Sequence, residues 1–422
     1  MGNITSKERS ISTEGGNKVS LQAPPRLDPV ATLLQGILES ADGLDASTIH
    51  FYISNKGNSC YFEVAGKLQK TGKKLNDRVV KELVEYLKGL ANLEKSHLST
   101  IQTASLTLNK GSRTTVCLFQ SPEHGTSHLL MYLNSPQGAR SFEDLGLWGS
   151  NLEALETALD KQKGLILLDS LDQYSLRSIL NSVLRYLNQD RKVSSLSFDS
   201  SLTPDLNLQN NDRIFTKVSV ENGGAVEKVL ASLSPRVVFF MDVLDTYTLE
   251  IAVQQVEMGR LVFVVSSEDS VCAALHKLLS ALPGAIQSLS LAVSTSSIQT
   301  ISASNGRHAL NKDVIYQLEN YFQIGLPESW KSIYAHAGIK NPEELLHLNF
   351  PVASEYGGVT NLIEVFTPSE DSRRILSRNP QLSQTALQPL AIGSGMLTKR
   401  EDGLIKALRK EVDLSDVIEV CK

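Results

Sequence analysis

Three runs of unbroken apolar residues, each followed by an amphipathic stretch, constrain this chain more than any other feature. They are Gly164–Leu168, Val237–Met241 and Leu261–Val265. A strand that is apolar at every position is buried on both faces, as in a parallel sheet. The helices predicted after them run from about Ser175 to Leu187, Thr246 to Met258 and Ser270 to Leu282. Such alternation predicts an α/β core whose mostly parallel sheet is covered by helices.

The residues ahead of this core follow another pattern. Residues 1–26 are rich in Gly, Ser, Thr and Asn, end in Pro24-Pro25-Arg26 and read as a disordered tail. Asp28-Pro29 is a helix start, a cap followed by proline at the first helical position. Val30, Leu33, Leu34, Ile37, Leu38 and Ala41 then keep helical spacing, whereas Ile49, Phe51 and Ile53 alternate as a half-buried strand does. Val79, Val80, Leu83, Val84 and Leu87 mark a second helix, and strand-like runs follow near 105–108, 114–119 and 128–133. The expected organisation is an N-terminal α+β domain over 27–144, an α/β domain over 145–305 and a mainly helical extension over 306–422. Pro342 to Leu348 and Leu404 to Leu408 exemplify its helices.

Charge and cysteine content narrow the function classes. Lys and Arg number 41 against 46 Asp and Glu, a net charge of −5, so a strongly basic nucleic-acid binder is excluded. Cys60, Cys117, Cys272 and Cys421 form no CxxC pair and suggest a reducing compartment. No apolar run reaches the ~18–20 residues that span a bilayer, and the N-terminus lacks the apolar core of a signal peptide. A cytoplasmic location is expected. Met1-Gly2-Asn3-Ile4-Thr5-Ser6 matches only the loose myristoylation pattern.

A buried strand running straight into a helix is the setting of a phosphate-binding loop. That chemistry needs glycines so that backbone N–H groups wrap the phosphates, a Lys for the terminal phosphates and a Ser or Thr for magnesium. Here the junction reads Asp169-Ser170-Leu171-Asp172-Gln173-Tyr174-Ser175-Leu176-Arg177-Ser178. The glycines and the lysine are missing, and Asp169 and Asp172 stand where an anion would approach. In the plainer reading, residues 170–178 are a turn and a helix start with Ser175 as a local cap.

The stretch Gly164-Leu-Ile-Leu-Leu through Leu180, Leu184-Arg185-Tyr186-Leu187-Asn188 resembles the core of the secretion and pilus assembly ATPases, the GspE/PilB/PilT family. Leu145-Gly146-Leu147 resembles that family's entry into the motor domain. Asp242-Val-Leu-Asp245 resembles its acidic strand motif, and Thr248 to Gln254 the helix after it. Gly395-Met396 with Arg400-Glu-Asp-Gly-Leu404 and Leu408 resembles its C-terminal signature, and Ile49-His50 a strand of its N-terminal domain. The resemblance implies a RecA-like P-loop NTPase fold, with an N-terminal PAS-like α+β domain and a helical C-terminal extension. It implies a cytoplasmic ring, homo- or hetero-oligomeric, working with an inner-membrane platform protein.

The departures fall on the chemistry. By register the family's lysine falls on Leu176, its magnesium-binding hydroxyl on Arg177 and its flanking glycines on Ser170 and Ser175. Ser170, Asp172, Ser175, Leu176, Arg177 and Ser178 are therefore a vestigial nucleotide site, and Asp242 and Asp245 a vestigial acidic motif. The motif's arginine falls on Leu244, the histidine of the next strand near Ser267, and the N-terminal arginines on Val116 and Met131. The family's four-cysteine zinc region has no counterpart in Leu348 to Tyr356, so no structural zinc is expected. His50, His97, His124 and His128 lack metal-ligand spacing, and the Ser-rich runs at 194–201 and 294–297 read as loops or polar strand faces.

Taken together, the reading is a catalytically inactive homologue of the assembly ATPases. It would be a structural or regulatory subunit, alongside an active paralogue, with no catalytic residue, no metal, no cofactor and no nucleic-acid partner. Two alternatives differ from it. One is a weak atypical ATPase using Arg177 for phosphate and Asp242 for magnesium; the other is a protein-binding module outside pili.

Overall fold

The computed structural model describes residues 9–12, 18–21, 29–71, 75–93, 101–107, 113–121, 126–133, 140–189, 193–199, 215–219, 223–241, 245–309 and 349–421. They fall into two compact units, residues 1–139 with 201–211, and residues 140–200 with 212–422.

In the first unit, β1 (Arg9–Ser12) and β2 (Lys18–Leu21) pair antiparallel, with Ile11 opposite Val19. These strands fall within residues 1–26, the stretch expected to be a disordered tail. Ile11 set between serines, and Val19 and Leu21 flanking Ser20, supply the short period-2 pattern that such pairing uses. The main body is α1 (Pro29–Asp42), β3 (Thr48–Ile53), β4 (Ser59–Val64), β5 (Lys67–Lys70), α2 (Asp77–Leu90), β6 (Ile101–Thr107), β7 (Arg113–Ser121) and β8 (Thr126–Tyr132). The six strands β3 to β8 form an antiparallel sheet in the order β5-β4-β3-β8-β7-β6. Ile49, Phe51, Phe62, Val64, Val116, Leu118, Leu129 and Met131 are almost fully buried, as are Val80, Leu83, Val84 and Leu87 on α2. Helix α2 begins where Asn76 accepts a hydrogen bond from the Val79 N–H.

The second unit continues with α3 (Gly149–Asp160), β9 (Gly164–Asp169), α4 (Gln173–Gln189), β10 (Ser195–Asp199), β11 (Phe215–Ser219), α5 (Gly223–Leu233) and β12 (Val237–Phe240). It goes on through α6 (Thr246–Glu257), β13 (Leu261–Ser266), α7 (Val271–Ala281), α8 (Ala285–Ser288), β14 (Leu289–Ala309) and β15 (Asn349–Phe366). Four helices close the described chain: α9 (Glu370–Arg378), α10 (Gln384–Gly393), α11 (Lys399–Leu408) and α12 (Leu414–Val420).

The seven-stranded sheet has the order β11-β10-β12-β13-β9-β14-β15. Its strands run parallel from β11 to β14, and β15 is antiparallel to β14. Every residue of β9, β12 and β13 is buried, which is why these runs show no period-2 alternation. On one face Leu165, Leu167, Val238, Phe240, Val262 and Val264 pack with α5, α6 and α7. Their alternates Ile166, Leu168, Phe239 and Phe263 point the other way, and Phe239 stacks on Phe263 with ring centroids 4.6 Å apart. An 18-residue strand, β15, precedes the helices of the C-terminal stretch. The helix expected at 342–348 lies outside the described residues.

Candidate functional site

Strand β9 delivers Asp169 to the C-terminal edge of the sheet, and α4 begins four residues later. Between them lie Ser170, Leu171 and Asp172. Asp172 is the residue before the helix, and its Oδ1 accepts a hydrogen bond from the Tyr174 N–H at 2.9 Å. That is an N-cap, so the cap is Asp172 and not Ser175, the residue the sequence suggested. The second oxygen, Oδ2, accepts from the Ser297 N–H on β14 at 3.1 Å and lies 2.8 Å from Ser175 Oγ. The positive end of α4 is thus met by a carboxylate of the chain itself.

The rest of the predicted loop is packed. Ser170 is fully buried, its Oγ within 2.9 Å of the Asp172 carbonyl and 2.8 Å of the Thr295 carbonyl, and it accepts from the Asp172 N–H. Ser175 Oγ also lies 2.7 Å from Asn361 Oδ1; with one proton it donates to Asn361 or to Asp172 at any moment. Leu176 is 1% exposed and belongs to the core. Arg177 is 5% exposed, and its Nε donates back to the Gln173 carbonyl in the same helix. Ser178 is half-buried and its carbonyl accepts from Ser182 Oγ. Leu171, 66% exposed, marks the loop tip.

Asp169 sits behind this loop. Its carboxylate accepts from Ser294 Oγ at 2.6 Å and from the Glu268 N–H at 2.7 Å. Burial pushes its carboxyl up to about 6, against the opposing pull of those hydrogen bonds and of the Lys399 charge.

The C-terminal signature buttresses the site. Asn361, on β15, donates from Nδ2 to the Leu145 carbonyl at 2.9 Å, and its own carbonyl accepts from Lys406 Nζ. Lys406 and Asp402 form an ion pair on α11. Asp402 also accepts from the Ile363 N–H and from the Trp148 indole N–H. Gly146, in the Leu-Gly-Leu entry, has φ +91°, and a Cβ there would lie 2.5 Å from Thr360 Oγ1 and 2.8 Å from the Asn361 carbonyl. Only glycine lets the backbone pass. Glu364 accepts from the Val271 N–H and the Lys399 N–H, the first residues of α7 and α11, and burial raises its carboxyl pKa.

Of the remaining predicted positions, the described ones have other roles. Asp242 and Leu244 lie outside the described residues. Asp245 caps α6, accepting from the Thr248 N–H at 2.9 Å and the Thr248 hydroxyl at 2.8 Å. Ser267 is exposed just beyond β13. Val116 and Met131 face each other across β7 and β8, fully buried.

Sequence reasoning missed one cluster in the first unit. His50 on β3 lies 2.9 Å from Glu63 Oε2 and 3.2 Å from His128 Nε2, and Tyr52 stacks on His128 at 3.9 Å. Strand register makes this meeting, because Tyr52 faces His128 and His50 faces Tyr61, whose neighbour two residues on is Glu63. Among the described residues no group of three or more His, Cys, Asp and Glu side chains is placed to hold a metal ion. No helix among them is long and apolar enough to cross a membrane.

The α4 N-terminus already carries a negative charge, the lysine position is core leucine, and the loop's arginine is turned back onto its own helix. A phosphate entering here would meet carboxylates at Asp172 and Asp169.

The fold is shared with solved secretion and pilus ATPases. No family model matches the chain. It is 22% identical over 397 residues to the type II secretion system protein E of Xanthomonas campestris pv. campestris, covering 93% of this chain and 67% of that protein. It is 25% identical over 252 residues to an Escherichia coli (strain K12) protein ascribed to type II secretion as protein E, covering 59% of this chain and 50% of that one. The chain thus spans about half to two thirds of the length of these curated relatives. The X-ray structure of the Legionella pneumophila ATPase DotB superposes with a TM-score of 0.61 at 14% identity, over 95% of this chain and 97% of that one, which shows a shared fold. In sequence the chain is similar to type II secretion E proteins, and in fold to the solved secretion ATPase DotB and pilus retraction motor PilT.

Proposed function

We propose that this chain is a catalytically silent homologue of the type II secretion and type IV pilus assembly ATPases. It acts as a structural or regulatory subunit of a cytoplasmic motor. The observation that carries this reading is the Asp172 carboxylate seated on the α4 N-terminus, with Tyr174 and Ser297 N–H groups already committed to it. A phosphate there would have to displace a covalently tethered anion with no lysine to compensate. On this reading Ser170, Asp172, Ser175, Leu176, Arg177 and Ser178 are the remains of a nucleotide site, Asp242 and Asp245 the remains of its acidic motif, and no cofactor is bound.

The partners follow from the same reading. The chain joins a ring of its own copies or of an active paralogue, and contacts an inner-membrane platform protein from the cytoplasmic side. The intact packing of Asp402, Gly403 and Lys406 supports it, because a frame with no remaining use would not need a buried ion pair kept satisfied. The weak-ATPase alternative asks Arg177 to reach phosphate, and its Nε is held on Gln173.

Calorimetry of the full chain with ATP and with ADP, both with magnesium, tests the reading. No saturable heat at millimolar nucleotide is expected. Saturable binding with turnover sinks it.

A further inference from the structure

The first unit holds a line of titratable side chains that the motor reading does not use. His50, Tyr52, Tyr61 and His128 share one face of its six-stranded sheet, because residues opposite each other across an antiparallel pair project to the same side. Helix α1 takes the other face, where Phe62, opposite Ile49, lines a small cavity with Leu33 and Ile37. Two contacts make the line. His50 Nε2 lies 2.9 Å from Glu63 Oε2, and His50 Nδ1 lies 3.2 Å from His128 Nε2. Both rings are held in place. The His50 side chain is 11% exposed. Tyr52 stacks on His128 with ring centroids 3.9 Å apart, and Phe119 tilts against the same ring at 6.3 Å.

These hydrogen bonds fix the tautomers. A carboxylate only accepts, so His50 donates from Nε2. A neutral His50 then has no proton on Nδ1, which must accept. His128 supplies that proton from Nε2, and its own Nδ1 is left bare. The line has a direction, set at Glu63 and read at His128 Nδ1. One proton reverses it. When a proton arrives at His128 Nδ1, the Nε2 proton passes to His50 Nδ1. His50 is then an imidazolium between Glu63 and His128, and His128 is neutral with its proton on Nδ1. A second proton would set two N–H groups against each other across 3.2 Å. Burial, then the neighbouring His50, opposes it and holds the His128 pKa at about 4.

The other titratable side chains on this face are Tyr52, Tyr61, Tyr132, Cys117 opposite Leu130, and Lys70 opposite Tyr61. Burial pushes the Cys117 thiol up to about 11 and raises the Tyr52 pKa, so neither ionises in the range of the imidazoles. Lys70 is exposed.

We infer that Glu63, His50 and His128 form a proton-operated relay in the first unit: uptake of one proton turns His128 Nδ1 from an acceptor into a donor while His128 itself stays uncharged. A group that meets this nitrogen has to donate above the step and accept below it.

The test uses the full chain labelled with the heavy nitrogen isotope. Two-bond nitrogen–proton NMR reports the tautomer and the charge of each imidazole from about pH 10 to about pH 4. At the alkaline end both rings are expected as Nε2–H tautomers. On acidification His128 should move to the Nδ1–H form, still neutral, in the same step that makes His50 an imidazolium. A proton on His128 Nδ1 while His50 is neutral overturns the inference, and so does direct charging of His128 with no change of neutral tautomer. Glu63→Gln replaces the acceptor-only end by an amide that can donate or accept, so the alkaline tautomers should become mixed. Unchanged tautomers in that variant show that Glu63 does not set the direction, and this too overturns the relay. In His50→Gln, His128 should charge in one step, and a tautomer change that persists there counts against the relay. If either variant fails to fold, the wild-type titration decides by itself.

Discussion

Lys406 and Asp402 face each other one helical turn apart, Nζ to Oδ2 at 2.6 Å, with both side chains 1% exposed. An ion pair this deep is supported by further hydrogen bonds: Asp402 also takes the Ile363 and Trp148 N–H groups, and Lys406 gives a second bond to the Asn361 carbonyl. Removing one partner strands a charge in the core, which costs about 3–5 kcal/mol. Lys406→Met and Asp402→Leu are each expected to lower the urea midpoint sharply. The double variant should lose less than the two single losses combined, and additive losses in that cycle would count against coupling.

Asp169 sets a pH dependence of the opposite sense to that of a salt-bridged aspartate. Its carboxyl is raised to about 6 in the folded chain from an ordinary 3.8. Between those values the folded state holds more protons than the unfolded state, so this group's contribution is fully present below about pH 4 and is lost as pH rises through 6. At roughly 1.4 kcal/mol per unit, the loss is about 3 kcal/mol. Asp169→Asn is expected to stabilise the chain at pH 7.5 and to flatten stability between pH 4 and 6, measured by urea unfolding across that range.

His128 works the other way. Burial, then the neighbouring His50, lowers its pKa to about 4 from 6.5. The folded chain resists protonating it, so stability from this site is present above about pH 6.5 and is lost as pH falls toward 4. Proton NMR titration of the imidazole should give a midpoint near 4, and His128→Gln should remove that loss. A midpoint near 6.5 would show that the ring is not held as the structure places it.

Restoring the family's lysine by itself should not restore nucleotide binding. Leu176 is 1% exposed, so Leu176→Lys puts an ammonium into apolar packing with no partner provided. A loss of about 3 kcal/mol or more is expected in chemical denaturation, together with calorimetric silence toward ATP. Gain of ATP binding in this single variant would mean that the loop opens more readily than its hydrogen bonds suggest.

The parallel strands were legible because burial on both faces leaves a short unbroken apolar run, and each of the three runs is followed by a helical pattern. The cap of α4 was also within reach, since an aspartate just before a helical pattern is a strong N-cap signal. Strand β15 was hidden by Pro351 and by Gly357-Gly358, which read as punctuation, and by the lack of any local signal for pairing with β14. Residues 294–297 read as a loop or a polar strand face; they belong to β14, where the Ser294 hydroxyl meets Asp169. The convergence of Ser297 on Asp172, and of His50 on His128, depends on strand order and register, which no window of sequence contains.

The Glu364 carboxylate holds the first turns of both α7 and α11, one oxygen for each. Two helices that the chain builds more than a hundred residues apart therefore share one fastener. Loss of that one side chain would leave the opening N–H groups of α7 and α11 without their acceptor together, so the two helix starts stand or fall as a pair.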